Sequence, residues 1–255
     1  MTSTIEQSTP RPVRYGLAAS LPVALVGLVL TAVLTVVVGL AGLIVGLVIT
    51  TVAIVVRVRT FETGLDASIL TRLGASPADG SEAAGFRNLA EGLSATAGVP
   101  VPDLLVIDAP TVNLVVVGTD AEDAAIVVTS GMLARLSRVE LEAAVARAFV
   151  QLRQGDVFAA TMSVRLESSP TTRFFASMLG HGSSLDEPDR DVLLDRAAVM
   201  LTRYPPGLVG ALETCRQVGA TVSVGPASLR RLWLVDPFEV DADALDHRME
   251  ALRLL

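Results

Sequence analysis

From residue 16 to residue 56 the chain reads GLAASLPVALVGLVLTAVLTVVVGLAGLIVGLVITTVAIVV, 41 residues without one charged side chain. One bilayer crossing takes about 20 apolar residues, and at about 1.5 Å per residue this run makes on the order of 60 Å of helix, roughly twice the hydrocarbon thickness. The pattern therefore predicts two crossings. Their reversal is expected near Gly39-Leu40-Ala41-Gly42, where paired glycines loosen a helix, leaving the second crossing short. After the run the period changes. Residues 82–98 place Phe86, Leu89, Leu93 and Ala97 on one helical face, with Gly98 to end it. Three β-rich runs follow at 103–108, 113–118 and 125–130, separated by gaps too short for a crossover helix, which predicts antiparallel pairing.

The next helix is VELEAAVARAFVQLRQGD, residues 139–156. Ser137 and Glu140 form a capping-box pattern before it, and Gly155 marks its stop. Leu141, Val145, Ala148, Phe149 and Leu152 make the apolar face; at 100° per residue, Glu140, Ala144, Arg147 and Gln151 line a second stripe along its border. Arg147 and Gln151 thus point the same way. Residues 62–74 predict a short helix and 75–81 a linker-like break. A long excursion at 167–188 carries the apolar residues Phe174, Phe175, Met178 and Leu179, expected to tuck into the core, before helices at 190–204, 206–219 and 242–254. The fold class is α+β: an N-terminal two-helix transmembrane hairpin, then a mostly helical domain with a small antiparallel β-sheet. The expected organisation is a disordered tail at 1–14, the hairpin at 15–58 and a cytoplasmic domain at 59–255.

Charge adds orientation. Arg11 and Arg14 precede the apolar run and Arg57 and Arg59 follow it, so the positive-inside rule puts both flanks, and both termini, in the cytoplasm of a multi-pass cell-membrane protein. The run is too long for a cleaved signal peptide. From Thr60 onward, 26 acidic residues stand against 16 arginines, a balance that repels nucleic acid. The membrane and an unidentified protein or peptide remain as partners. The single cysteine, Cys215, forms no disulfide within the chain and reads as a buried, inert thiol. His181 and His247 are the two histidines, each without a partner four residues away, and no nucleophile elbow, P-loop or Cys-x-x-Cys occurs.

The segments NLAEGLSATAGVPVPDLLVIDAPTVN, IVVTSGMLARLSRVELEAAVARAFVQLRQGD, DVLLDRAAVMLTRYPPGLVGAL and LDHRMEALRLL, in that order, resemble the HtpX-like membrane zinc metallopeptidases, a group that includes the CAAX prenyl proteases. The resemblance runs from about Ala90 to the C-terminus and is carried by Asn113, by the turn Thr129-Ser130-Gly131-Met132, by Gly155-Asp156 and by the preceding hairpin. It implies a metallopeptidase-like domain and a His-Glu-x-x-His helix, in which two histidines hold zinc, the glutamate polarises its water and a carboxylate arrives from another helix. At those positions this chain has Arg147, Ala148 and Gln151, with Asp191 replacing the third ligand and Asp195 retained. Arg248, in the closing segment, matches a structural arginine of the family.

An arginine cannot ligate a cation. The expectation is therefore a degenerate former metal site at Arg147, Ala148, Gln151, Asp191 and Asp195, with no catalytic residues, no metal and no cofactor, and with Arg147 paired to Asp191 or Asp195. The chain is then expected to be no enzyme but a catalytically inactive pseudopeptidase, a binding, adaptor or regulatory protein at the inner face of the membrane. Strand addition along 113–118, an edge marked by Asn113 and Gly118, is the expected way in for a peptide. Two alternatives stand beside it: a divergent metallopeptidase using Asp156, His181, Asp191 or Asp195, and a membrane interaction protein docking through Gly39, Gly42 and Gly46.

Overall fold

The structure is a computed structural model that describes residues 12–62, 67–154, 157, 160, 161, 164, 189–225 and 227–255. It divides into two compact units, the first holding the apolar hairpin and the second most of the remaining chain.

In the hairpin, α1 (Pro12–Val38) and α2 (Leu40–Glu62) are separated by one residue, Gly39, whose φ of +69° lies in the left-handed region that favours glycine. Each helix contains a 19-residue apolar stretch, at 20–38 and 40–58, long enough to cross a membrane. The second crossing is thus as long as the first, because α2 stays helical through Val58. The helices meet over small residues. A Cβ added at Gly46 would come 2.8 Å from Thr31 Cα, and one at Gly27 would collide with the Thr50 side chain. Thr31 Oγ1 donates to Gly27 O at 2.8 Å and lies 3.4 Å from Thr50 Oγ1. Gly42 and Gly46 therefore face α1 within the hairpin, which removes them as a docking stripe for another membrane protein. The outward positions are bulky, with Val26, Leu28, Val36 and Val37 all exposed.

The second unit begins with α3 (Ala67–Leu73) and a short strand β1 (Ala75–Pro77), where the sequence suggests only a linker. A 3₁₀ turn (Ser81–Ala83) leads into α4 (Ala84–Ala97), which ends at Gly98 with φ +68°. Next come β2 (Asp103–Ile107), β3 (Leu114–Gly118) and β4 (Ala124–Thr129). After them stand α5 (Ser130–Arg135), α6 (Arg138–Gln154), α7 (Arg190–Thr202), α8 (Pro205–Val218), a 3₁₀ segment (Ala227–Leu232) and α9 (Ala242–Arg253).

The sheet order is β1-β2-β4-β3, and it is mixed. β3 and β4 form the expected antiparallel hairpin, in the register Val115 opposite Val127, but β2 and β4 run parallel. The expectation of antiparallel pairing throughout fails because β3 crosses to the far side of β4 and itself serves as the crossover. Every residue of β3 and β4 is buried, as suits apolar strands covered on both faces. α6 lies at the centre, packed against α4, α7, α8 and β3. Its capping box forms, with Ser137 N donating to Glu140 Oε2 at 2.8 Å. The alanines of AAVARA let neighbours approach from every side, so residues 143–152 are buried around the full circumference.

Candidate functional site

Midway along α6, Arg147 and Gln151 sit one turn apart and are fully buried, so the stripe that the sequence places at the border of the core lies inside it. Arg147 reaches α7. Its Nε donates to Asp195 Oδ1 at 2.7 Å and its Nη2 to Asp191 Oδ1 at 2.5 Å. From α9, Arg248 grips the other side of Asp195, with Nε on Oδ2 at 2.7 Å and Nη2 on Oδ1 at 2.9 Å, while its Nη1 donates to Leu234 O. Asp195 is completely buried and accepts three charge-assisted bonds from two guanidinium forks. Asp191, in the first turn of α7, keeps half of its side chain exposed. Of the five residues that the sequence singles out here, three (Arg147, Asp191 and Asp195) join one network, while Gln151 and Ala148 are buried outside it.

Two arginines balance two aspartates. Burial works against the charge on Arg147 and lowers its pKa, with Asp191 and Asp195 opposing. For Asp191, burial alone would raise the pKa, but the charges of Arg147, Arg248 and Arg190 together outweigh it and hold the carboxyl below its ordinary value. For Arg248, burial is outweighed by Asp195, so its guanidinium is held still more firmly protonated. Burial also pushes the Cys215 thiol up to about 12, and its Sγ donates to Val112 O, which makes it an unreactive core group. Two buried polar atoms of the site have no hydrogen-bond partner, Arg147 Nη1 and Gln151 Oε1. The Gln151 amide is oriented by Nε2 donating to Arg231 O at 3.4 Å.

Zinc, the metal that the resemblance implies, does not fit these residues. A guanidinium has no lone pair to give, and the carboxylates that face it already accept its protons. A dication about 4 Å from it would be repelled by on the order of 8 kcal/mol even at an effective dielectric constant of about 20. Among the described residues no group of three or more His, Cys, Asp or Glu side chains could hold a metal ion. His247 Nε2 lies 3.3 Å from Asp189 Oδ1 on the surface, whereas His181 and Asp156 fall outside the described residues.

The candidate peptide edge at 113–118 is occupied from within. Leu114 O accepts from Leu234 N, Val115 forms a bridge with Trp233, and Gly118 N donates to Thr161 Oγ1. Asn113 is a buried clamp rather than the marker of an open edge. Its Nδ2 donates to Ala220 O and Val235 O at 2.7 and 2.8 Å, and its Oδ1 accepts from Leu114 N and Val235 N. Trp233 and the segment around it cover the strand, which the sequence could not show because they lie more than a hundred residues away.

Arg248 belongs to the site as the second grip on Asp195, a role that sequence reasoning left at "structural". The signal was present: with Leu245, Met249 and Leu252 it follows helical spacing, placing a charge on the buried face of α9.

No family model and no solved structure matches the chain. Curated relatives do. A protein named protease HtpX homolog from Dictyoglomus turgidum is 26% identical over 210 residues, covering 66% of this chain and 68% of the relative. Proteins of the same name from Dictyoglomus thermophilum and Limosilactobacillus reuteri are 28% and 27% identical, covering 60% and 62% of this chain. The chain spans 60% and 64% of the length of those two relatives. These names correct one expectation. The reading of the chain as no enzyme is overturned by relatives that are called proteases and point to a protease. By sequence, with two apolar helices ahead of an α+β unit, the chain resembles these proteins named HtpX homologs.

Proposed function

We propose that this chain works on polypeptide at a membrane, as an anchored, metallopeptidase-like protein in which the α1–α2 hairpin crosses the bilayer and the second unit engages protein segments. What carries the reading is the likeness to proteins named proteases, together with two apolar 19-residue stretches in a hairpin. The arginines at 11, 14, 57 and 59 flank the hairpin on both sides, which by the positive-inside rule favours cytoplasmic flanks and a second unit at the inner face. There it would meet membrane proteins in an adaptor or regulatory capacity. Proteolysis, the activity in its relatives' names, is the chemistry to look for first.

Purified full-length protein in lipid nanodiscs, incubated with an unfolded fluorescent polypeptide such as labelled casein, tests this directly. Retention of the polypeptide with release of fragments supports the protease reading, and retention without fragments supports the adaptor role. If the polypeptide is neither held nor cut, the proposal is overturned.

A further inference from the structure

We infer that Arg147 is a resident cation, whose guanidinium joins the central helices of the second unit in the place of a metal dication, so that the fold forms without a transition metal at α6. Three helices converge on this point. α6 supplies Arg147, α7 supplies Asp191 and Asp195, and α9 supplies Arg248. The two aspartates are one turn apart on α7, and the Arg147 fork spans that turn, Nε on one carboxylate and Nη2 on the other. A planar fork with fixed donors is what this separation requires; an ammonium on a flexible stem would reach one carboxylate or the other. The fork therefore sets the register of α6 against α7, and Arg248 sets α9 against the same Asp195.

Each donor set also excludes the other. Asp195 Oδ1 accepts from both arginines and Oδ2 accepts from Arg248, so the buried hub carboxylate already has three of its roughly four acceptor sites filled by guanidinium donors. Two positive and two negative side chains leave no negative charge for a dication to neutralise. The inference concerns assembly of the unit and does not depend on what the protein binds or cuts.

The test uses the full chain in detergent, with metal content read by mass spectrometry and thermal unfolding followed with and without EDTA or added zinc sulfate. The expected result is a metal content far below one per chain and a Tm that neither reagent moves. Arg147→Lys is expected to lower the Tm nearly as far as Arg147→Met, since the charge remains but the fork is lost. Asp191→Asn, at a half-exposed position, should fold and shift the Tm modestly with no change in metal content. Stoichiometric metal that disappears in Asp191→Asn, with a Tm lowered by EDTA, would overturn the inference. So would an Arg147→Lys protein as stable as the parent. Metal that survives Asp191→Asn and leaves the Tm untouched by EDTA lies elsewhere and supports it.

Discussion

The α1–α2 crossing holds its helices together over glycines and threonines, whereas α6, α7 and α9 are held over two arginines and two aspartates. In lipid, apolar side chains gain nothing by leaving their surroundings, so helices associate where backbones approach closely enough for dispersion to accumulate. Gly27 on α1 and Gly46 on α2 provide that approach. In the second unit, burial of β3, β4 and α6 supplies the driving force, and the buried ions specify geometry. The lesson is an asymmetry: the hairpin should respond gradually to substitution, the ion cluster abruptly.

Removing the hub is the severest way to probe that asymmetry. Asp195→Ala strands two buried guanidinium groups and is expected to cost roughly 3 to 5 kcal/mol, read by denaturant unfolding of the detergent-solubilised protein. A loss near zero would show that the cluster specifies nothing. Asn113→Ala comes next, since it orphans two carbonyls and two N–H groups inside the core. At about 1 kcal/mol for each of the four unsatisfied groups, a loss on the order of 4 kcal/mol is expected from the same measurement. Gly46→Leu should cost less, about 1 to 3 kcal/mol, because the hairpin can spread to admit the side chain. Loss of crosslinking between cysteines placed at Thr31 and Thr50, whose hydroxyls lie 3.4 Å apart, relative to the same pair with Gly46 intact, would register the spreading.

The mildest effect is one of pH. Folding lowers the Asp191 pKa, so its contribution to stability is fully present above its ordinary value of 3.8 and is lost as the pH falls below it. Tm measured between about pH 6 and pH 3 should fall less steeply in Asp191→Asn than in the parent. Because the side chain is half exposed, solvent screening keeps this difference small. Equal slopes would mean that Arg147 leans on Asp195 alone.

How much of this was legible in the sequence depends on the range of the signal. The hairpin follows from uncharged length, and α4, α6 and the three closing helices follow from periodicity and caps, all of them local properties. The parallel pairing of β2 with β4 was hidden because it depends on where β3 goes, not on any residue of β2 or β4. Arg147 and Gln151 bordered an apolar face in projection, yet they are interior because α7 and the 3₁₀ segment close over them from far along the chain. Asn113 was noticed for the wrong reason: a polar residue before a strand looks like an edge until two distant carbonyls claim its amide. Where the family resemblance spoke of zinc and the residues spoke of arginine, the residues described the geometry.

Gly39 is the entire connection between the two membrane-length helices. If both cross, the bilayer's far side is offered a bend of one residue, with no loop for an enzyme, antibody or ligand to seize there. Anything that meets the hairpin outside the lipid must then approach from the side on which both of its ends emerge.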